Sequence, residues 1–75
     1  MVYIVRAEVL GRDGELEVYR TELEAMARAH ALKAAYDRDG GEWHEGWTSD
    51  GYEVTWYSDE DDDDYITIQV VPIDL

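Results

Sequence analysis

Asp59-Glu60-Asp61-Asp62-Asp63-Asp64 is an unbroken run of six acids, and the chemistry open to it is the binding of positive charge. Asp59, Asp61 and Asp63 have the alternate spacing of oxygen ligands at the start of a helix-loop-helix calcium site. The sixth position of such a loop is glycine and here is Asp64; the twelfth is glutamate and here is Val70. No metal or cofactor is therefore expected. As a solvated loop the run would keep its strongly β-forming neighbours from aggregating, a task that needs fewer acids. Binding to a basic partner accounts better for the reinforcement by Glu42, Glu45, Asp50 and Glu53, with no Lys or Arg after Arg38 to neutralise them.

Trp43, His44, Glu45 and Trp47 form a second group. Strand geometry puts both indoles on one side with Glu45 between them, where a buried carboxylate would be costly. Either Gly46 marks a bulge that re-aims Trp47, or one tryptophan is exposed. Trp47 and Tyr57, set beside acids, are the aromatic anchors expected on a partner surface, able to stack on Arg. His30 falls in a helical stripe and reads as packing. His44 stands beside Glu42 and Glu45, and neither histidine has a partner set for catalysis. The chain has no Cys, and Ser49 and Ser58 flank turn or acid-rich stretches, so nucleophilic catalysis is not expected. Paired-carboxylate chemistry would need a cleft that so short a chain has little material to build. No enzyme is expected.

The elements that must position these groups come from one small domain. A chain of 75 residues buries roughly 60 to 65% of its unfolded surface, enough for one core. A net charge of -13 opposes folding, so salt, carboxylate protonation or a partner should stabilise it. The absence of cysteine fits a reducing compartment. Met1 to Arg6 is too short and too polar beyond Val5 for a signal peptide, and no apolar run approaches about 18 residues, so a soluble, cytoplasmic protein is expected.

Val2 to Leu10 is rich in β-branched residues and leads into Gly11-Arg12-Asp13-Gly14, a turn with Asp-Gly to supply positive φ. Glu15 to Arg20 continues the hairpin, with Leu16 and Val18 expected inward and Glu15, Glu17 and Tyr19 outward. Thr21 and Glu24 form a capping box that opens a helix reaching about Tyr36. Leu23, Met26, Ala27, His30, Ala31 and Ala34 make its sheet-facing stripe, with Ile4, Val54 and Trp56 supplying volume beneath, and Gly40 and Gly41 end it. Strands follow over Glu42 to Trp47, Tyr52 to Ser58 and Tyr65 to Ile73, with a turn at Thr48-Ser49-Asp50-Gly51. Pro72 suits an edge or a strand end. The expectation is an α+β domain spanning 1–75: an antiparallel sheet of four to five strands, ββαβββ, with one helix on one face.

Charge divides unevenly along this fold. Residues 1 to 38 carry seven acids against six bases, and residues 39 to 75 carry twelve acids and no base. Adaptation to high salt, the alternative source of such acidity, would spread acids evenly over a structural or interaction domain with no dedicated charge-recognition face.

In size, acidity and α+β pattern over the whole chain, with Asp59-Glu60-Asp61-Asp62-Asp63-Asp64 as the most concrete part, the sequence resembles the small phage-encoded inhibitors that imitate DNA, many anti-CRISPR proteins among them. The resemblance implies a protein of the host cytoplasm that occupies a Lys/Arg-rich nucleic-acid-binding surface, such as a CRISPR effector, and blocks nucleic-acid loading. It implies no direct contact with nucleic acid and none with membrane. A monomer is expected, or a homodimer formed through strands or through Leu32 and Tyr36, which the stripe above leaves facing outward.

Overall fold

The computed structural model describes residues 1–60 and 63–74. Its elements are β1 (Val2–Val9), β2 (Arg12–Tyr19), α1 (Glu22–Tyr36), β3 (Gly41–Thr48), β4 (Gly51–Ser58) and β5 (Tyr65–Ile73), the expected ββαβββ order. All five strands join one antiparallel sheet, β2-β1-β5-β4-β3, with α1 on one face. Asp61, Asp62 and Leu75 lie outside the described residues.

The first hairpin turns earlier than its Asp-Gly pair indicates. Leu10 and Gly11 both take positive φ (51° and 78°), the two-residue turn whose twist matches the strands it joins. Asp13 and Gly14 are inside β2. Val9 faces Arg12 and Glu8 faces Asp13, yet Arg6 faces Leu16, so Gly14 and Glu15 together oppose Ala7. This bulge reverses the expected phase of β2. Leu16 and Val18, expected inward, stand on the uncovered face at 71% and 63% exposure. Glu17 and Tyr19 take the helix side, where the Tyr19 hydroxyl and the Arg28 Nε (2.8 Å) both donate to the Glu17 carboxylate. Those bonds, the Tyr19 one foremost, hold Glu17 below the usual carboxylate range.

Helix α1 begins as its capping box directs: Thr21 Oγ1 accepts from the Glu24 amide at 3.2 Å and donates to the Glu24 carboxylate at 2.8 Å. Its buried face, however, is Ala25, Ala29 and Leu32, with Met26 and Tyr36 alongside. Leu23 is 82% exposed, and Ala27, His30, Ala31 and Ala34 also face solvent. Leu32 and Tyr36, expected outward, are packed against the core and unavailable for pairing two copies. Alanine occurs on every side of this helix, so periodicity alone does not mark the face that docks. Two alanines at the contact bring the backbone close to Val5, Ala7, Val54, Ile68 and Val70. Ile4, expected beneath the helix, is on the opposite face, and Val5 takes its place.

The helix stops at Tyr36 with Asp37 extended (ψ 137°), earlier than the glycine pair. Gly40 takes φ 90° in the connection, and Gly41 opens β3 against the buried Trp56. A Cβ on Gly41 would lie 2.4 Å from Trp56 Cε2 and 2.2 Å from the Tyr57 carbonyl, so only glycine lets β3 approach there. Strand β5 has the expected bounds and faces, with Ile66, Ile68 and Val70 buried. Pro72 pairs with Tyr3 on β1, beyond Val70 where the pairing with β4 ends, so its missing N–H interrupts no bond on that side.

Five strands span about 20 Å, whereas one helix covers about 10 Å. Helix α1 contacts β1, β5 and β2. Tyr52, Val54 and Trp56 of β4 are buried all the same, and the inner face of β3 is left beside the helix as an open groove.

Candidate protein-binding surface

The strand order preserves in space the charge asymmetry of the sequence. The hairpin β1–β2, with Arg6 and Arg12 set against Glu8, Asp13, Glu15 and Glu17, lies on one side of β5, and the hairpin β3–β4, with Glu42, Glu45, Asp50 and Glu53 and no Lys or Arg, lies on the other. Ion pairs Arg6–Asp13 (3.7 Å) and Arg28–Glu17 (2.8 Å) stay within the first 28 residues. Among the described residues, none of Glu42, Glu45, Asp50, Glu53, Asp59, Glu60 or Asp64 forms an ion pair with Lys or Arg.

The acid run sits at one end of the sheet, where several backbone bonds hold its limbs. The Ser58 amide donates to the Asp64 carbonyl at 3.1 Å, the Asp59 amide to the Gly40 carbonyl at 2.8 Å, and the Glu60 amide to Ser58 Oγ at 3.2 Å. A cavity of about 390 Å³ beside it is lined by Arg38, Asp39, Trp56, Ser58, Glu60 and Asp64. Arg38 places its guanidinium 5.2 Å from the Trp56 ring centre, and Arg12 opens β2 at the same end of the sheet, so cations do stand at this end.

Onto the uncovered face next to this run the register brings Glu42 and Tyr57, which are directly paired, and Tyr65, which pairs with Tyr57. The Tyr65 hydroxyl donates to Glu8 at 2.8 Å, a bond that raises the tyrosine's pKa. The His44 ring meets Tyr57 edge-on at 5.6 Å. Glu53 shares the face about 14 Å behind Tyr57, two side-chain repeats away, and accepts from Thr55 (3.3 Å) and Gln69 (3.4 Å). Glu8 joins this acidic corner although it belongs to the first strand, because β1 runs beside β5. Only the strand order reveals it.

Other expected members are elsewhere. Asp50 occupies the β3–β4 turn at the opposite end, about 25 Å along the strands from Ser58. Glu45 and Trp47 project to the helix side of β3. The β3–β4 register is unbroken through Gly46, so no bulge re-aims Trp47; it is instead 67% exposed. Asp61 and Asp62 lie outside the described residues. The structure thus groups Glu42, Glu53, Tyr57, Asp59, Glu60, Asp63 and Asp64, and separates Glu45, Trp47 and Asp50 from them.

The groove left beside the helix is the feature that sequence reasoning missed. It has a volume of about 400 Å³ and is lined by His30, Lys33, Ala34, Asp37, Trp43 and Glu45. Trp43 Nε1 donates to Asp37 at 2.8 Å, with Lys33 Nζ 5.7 Å from the indole centre. Tyr52, whose ring touches Trp47 at 5.2 Å, donates to Glu45 at 2.6 Å; burial first, and that bond second, push its hydroxyl pKa well up. Lys33 here stands against two carboxylates, Asp37 and Glu45, which Trp43 and Tyr52 hold by hydrogen bonds. No group of three or more His, Cys, Asp or Glu suited to a metal occurs among the described residues, and none of their helices is long and apolar enough to cross a membrane. Compared with protein-family models, curated proteins and solved structures, the chain matches none.

Proposed function

We propose that the corner built from Glu42, Glu53, Tyr57, Asp59, Glu60 and Asp64 binds a Lys/Arg-lined nucleic-acid-binding surface of a host defence complex, such as a CRISPR effector, in the cytoplasm. The protein acts by occupancy, not catalysis: it stands where nucleic acid would load. The observation that carries this reading is that, among the described residues, Glu42, Glu53, Asp59, Glu60 and Asp64 form no ion pair with Lys or Arg, since the ion pairs Arg6–Asp13 and Arg28–Glu17 use other residues. Tyr57 at 49% exposure offers a ring on which Arg can stack, with Glu42 directly beside it on β3. Association is fast and weakens with ionic strength.

The test is a lysate pull-down with the wild type and with Glu42→Gln, Asp59→Asn, Glu60→Gln, Asp64→Asn combined. Capture of a nucleic-acid-binding complex by the wild type alone, and inhibition of that complex's DNA binding, are the expected results. Equal capture by the neutralised protein refutes the role of the corner. Adaptation to salt is favoured by one observation, that Glu22, Asp50 and Asp74 place acids at the opposite end too. A domain of that kind unfolds in dilute buffer, whereas the inhibitor stays folded.

A further inference from the structure

The two edges of the sheet are built differently. On β2 the register breaks at Gly14–Glu15, and that bulge, with the basic Arg12 and Arg20 at the strand's two ends, discourages pairing with another chain. Strand β3 has none of these devices. Its register with β4 runs unbroken from Gly41 to Thr48, it contains no Pro, Lys or Arg, and α1 packs on β1, β5 and β2 instead. Alternate residues of β3 turn their N–H and C=O groups away from β4, over eight residues or about 25 Å. Among the described residues no strand lies beyond β3, and no backbone bond from a turn or loop reaches its free edge.

The side chains of this strand are as open as its backbone. His44 to Thr48 are all exposed, and Trp47 keeps 67% of its surface in water although its indole touches the Tyr52 ring. Trp43, Glu45 and Trp47 stand on the helix side, where the groove leaves a layer of side chains unfilled beside α1, and Glu42 stands on the other face.

We infer that the β3 edge takes up an extended, basic segment of a partner protein as a sixth strand, main chain against main chain, with alternate side chains of that segment closing the outer side of the groove. Charge names the occupant. The β3–β4 hairpin carries Glu42, Glu45, Asp50 and Glu53 with no Lys or Arg. A Lys or Arg set opposite Glu45 lies between two indoles that its stem and its cation can pack on, and a second one three positions along meets Glu42 on the other face. Lys33 leaves that place open, since among the described residues it forms no ion pair with Glu45. A second copy brings no complement, because its own β3 edge presents the same carboxylates on a chain of net charge -13.

Glu42 aside, this edge shares no residue with the acidic corner, and the corner needs no backbone pairing, so the two readings fail separately. The probe is the capped peptide Thr-Val-Arg-Val-Thr-Lys-Thr-Val, titrated into isotope-labelled protein in about 0.15 M NaCl. Amide shifts should gather on Gly41 to Thr48, and the outward amides of β3 should exchange their hydrogens more slowly when the peptide is bound. The same peptide N-methylated at its Val and Thr residues keeps both cations, loses main-chain donors on either edge, and should not bind. Glu45→Gln, which still accepts from the Tyr52 hydroxyl, should weaken binding by up to about fivefold. Should that variant fail to fold, a peptide with Gln in place of Arg and Lys makes the comparison on the unaltered protein. No shift at up to about 1 mM peptide overturns the inference, as does binding that N-methylation leaves intact or that removal of charge does not weaken. Shifts gathered at Asp59, Glu60 and Asp64 rather than on β3 overturn it too, while leaving the corner in place.

Discussion

Gly41→Ala is the substitution whose effect the structure fixes best. The new methyl would lie 2.4 and 2.5 Å from Cε2 and Cζ2 of Trp56 and 2.2 Å from the Tyr57 carbonyl oxygen, against an ordinary contact of about 3.5 Å or more. None of those atoms can step aside cheaply. Trp56 is 2% exposed and is the largest fully buried side chain, and Tyr57 is held in register between β3 and β5. Overpacking of this kind costs about 3 kcal/mol, at the upper end of its usual range because backbone as well as ring must move. For a domain of this size that is a fall of roughly 12 to 24 °C in melting temperature. Gly46→Ala provides the control within the same strand: a Cβ there meets nothing within 4 Å, so it should be neutral or stabilise by up to about 1 kcal/mol. Thermal melts followed by tryptophan fluorescence and far-ultraviolet circular dichroism measure both. Equal melting temperatures for the two variants would refute the close packing of β3 on Trp56, and with it the seating of Glu42 beside the acid run.

Two further outcomes are expected. Thr21→Ala removes the hydroxyl that accepts from the Glu24 amide and should cost about 1 kcal/mol, read as a shift in urea midpoint without a change in slope. Burial and the bond to Glu45 raise the Tyr52 pKa in the folded chain above its ordinary 10.0, so the stabilisation this gives is complete below pH 10 and is lost as pH rises from there towards the folded value. Denaturation midpoints should therefore fall above about pH 10, with Tyr52→Phe flattening the decline and removing the last-titrating phenolate absorbance; an unchanged profile in that variant would rule the Tyr52 contribution out.

How much of this was legible beforehand depended on whether the deciding signal was local. Thr21 and Glu24 specify the helix start between them, and the alternation of Ile66, Ile68 and Val70 defines β5, so both were readable. The phase of β2 was not, because one extra residue at Gly14–Glu15 transfers Leu16 and Val18 to the other face, and nothing in their own alternation records it. Nor was the docking face of α1, where the bulky Leu23 marked a stripe that Ala25 and Ala29 in fact supply. The acid run could be seen in one dimension, but its company could not. Glu8 reaches it through the order of strands, and Asp50 is kept from it by the length of β4.

The central pairing of the sheet joins Val2 to Ile73 and Val9 to Ile66, positions that are nearly a full chain length apart. Each flanking hairpin can close by itself within microseconds, yet neither owns a finished hydrophobic layer until β5 slots between them. Folding therefore waits on the pairing of these distant segments, and loop-closure entropy rather than local propensity sets its pace.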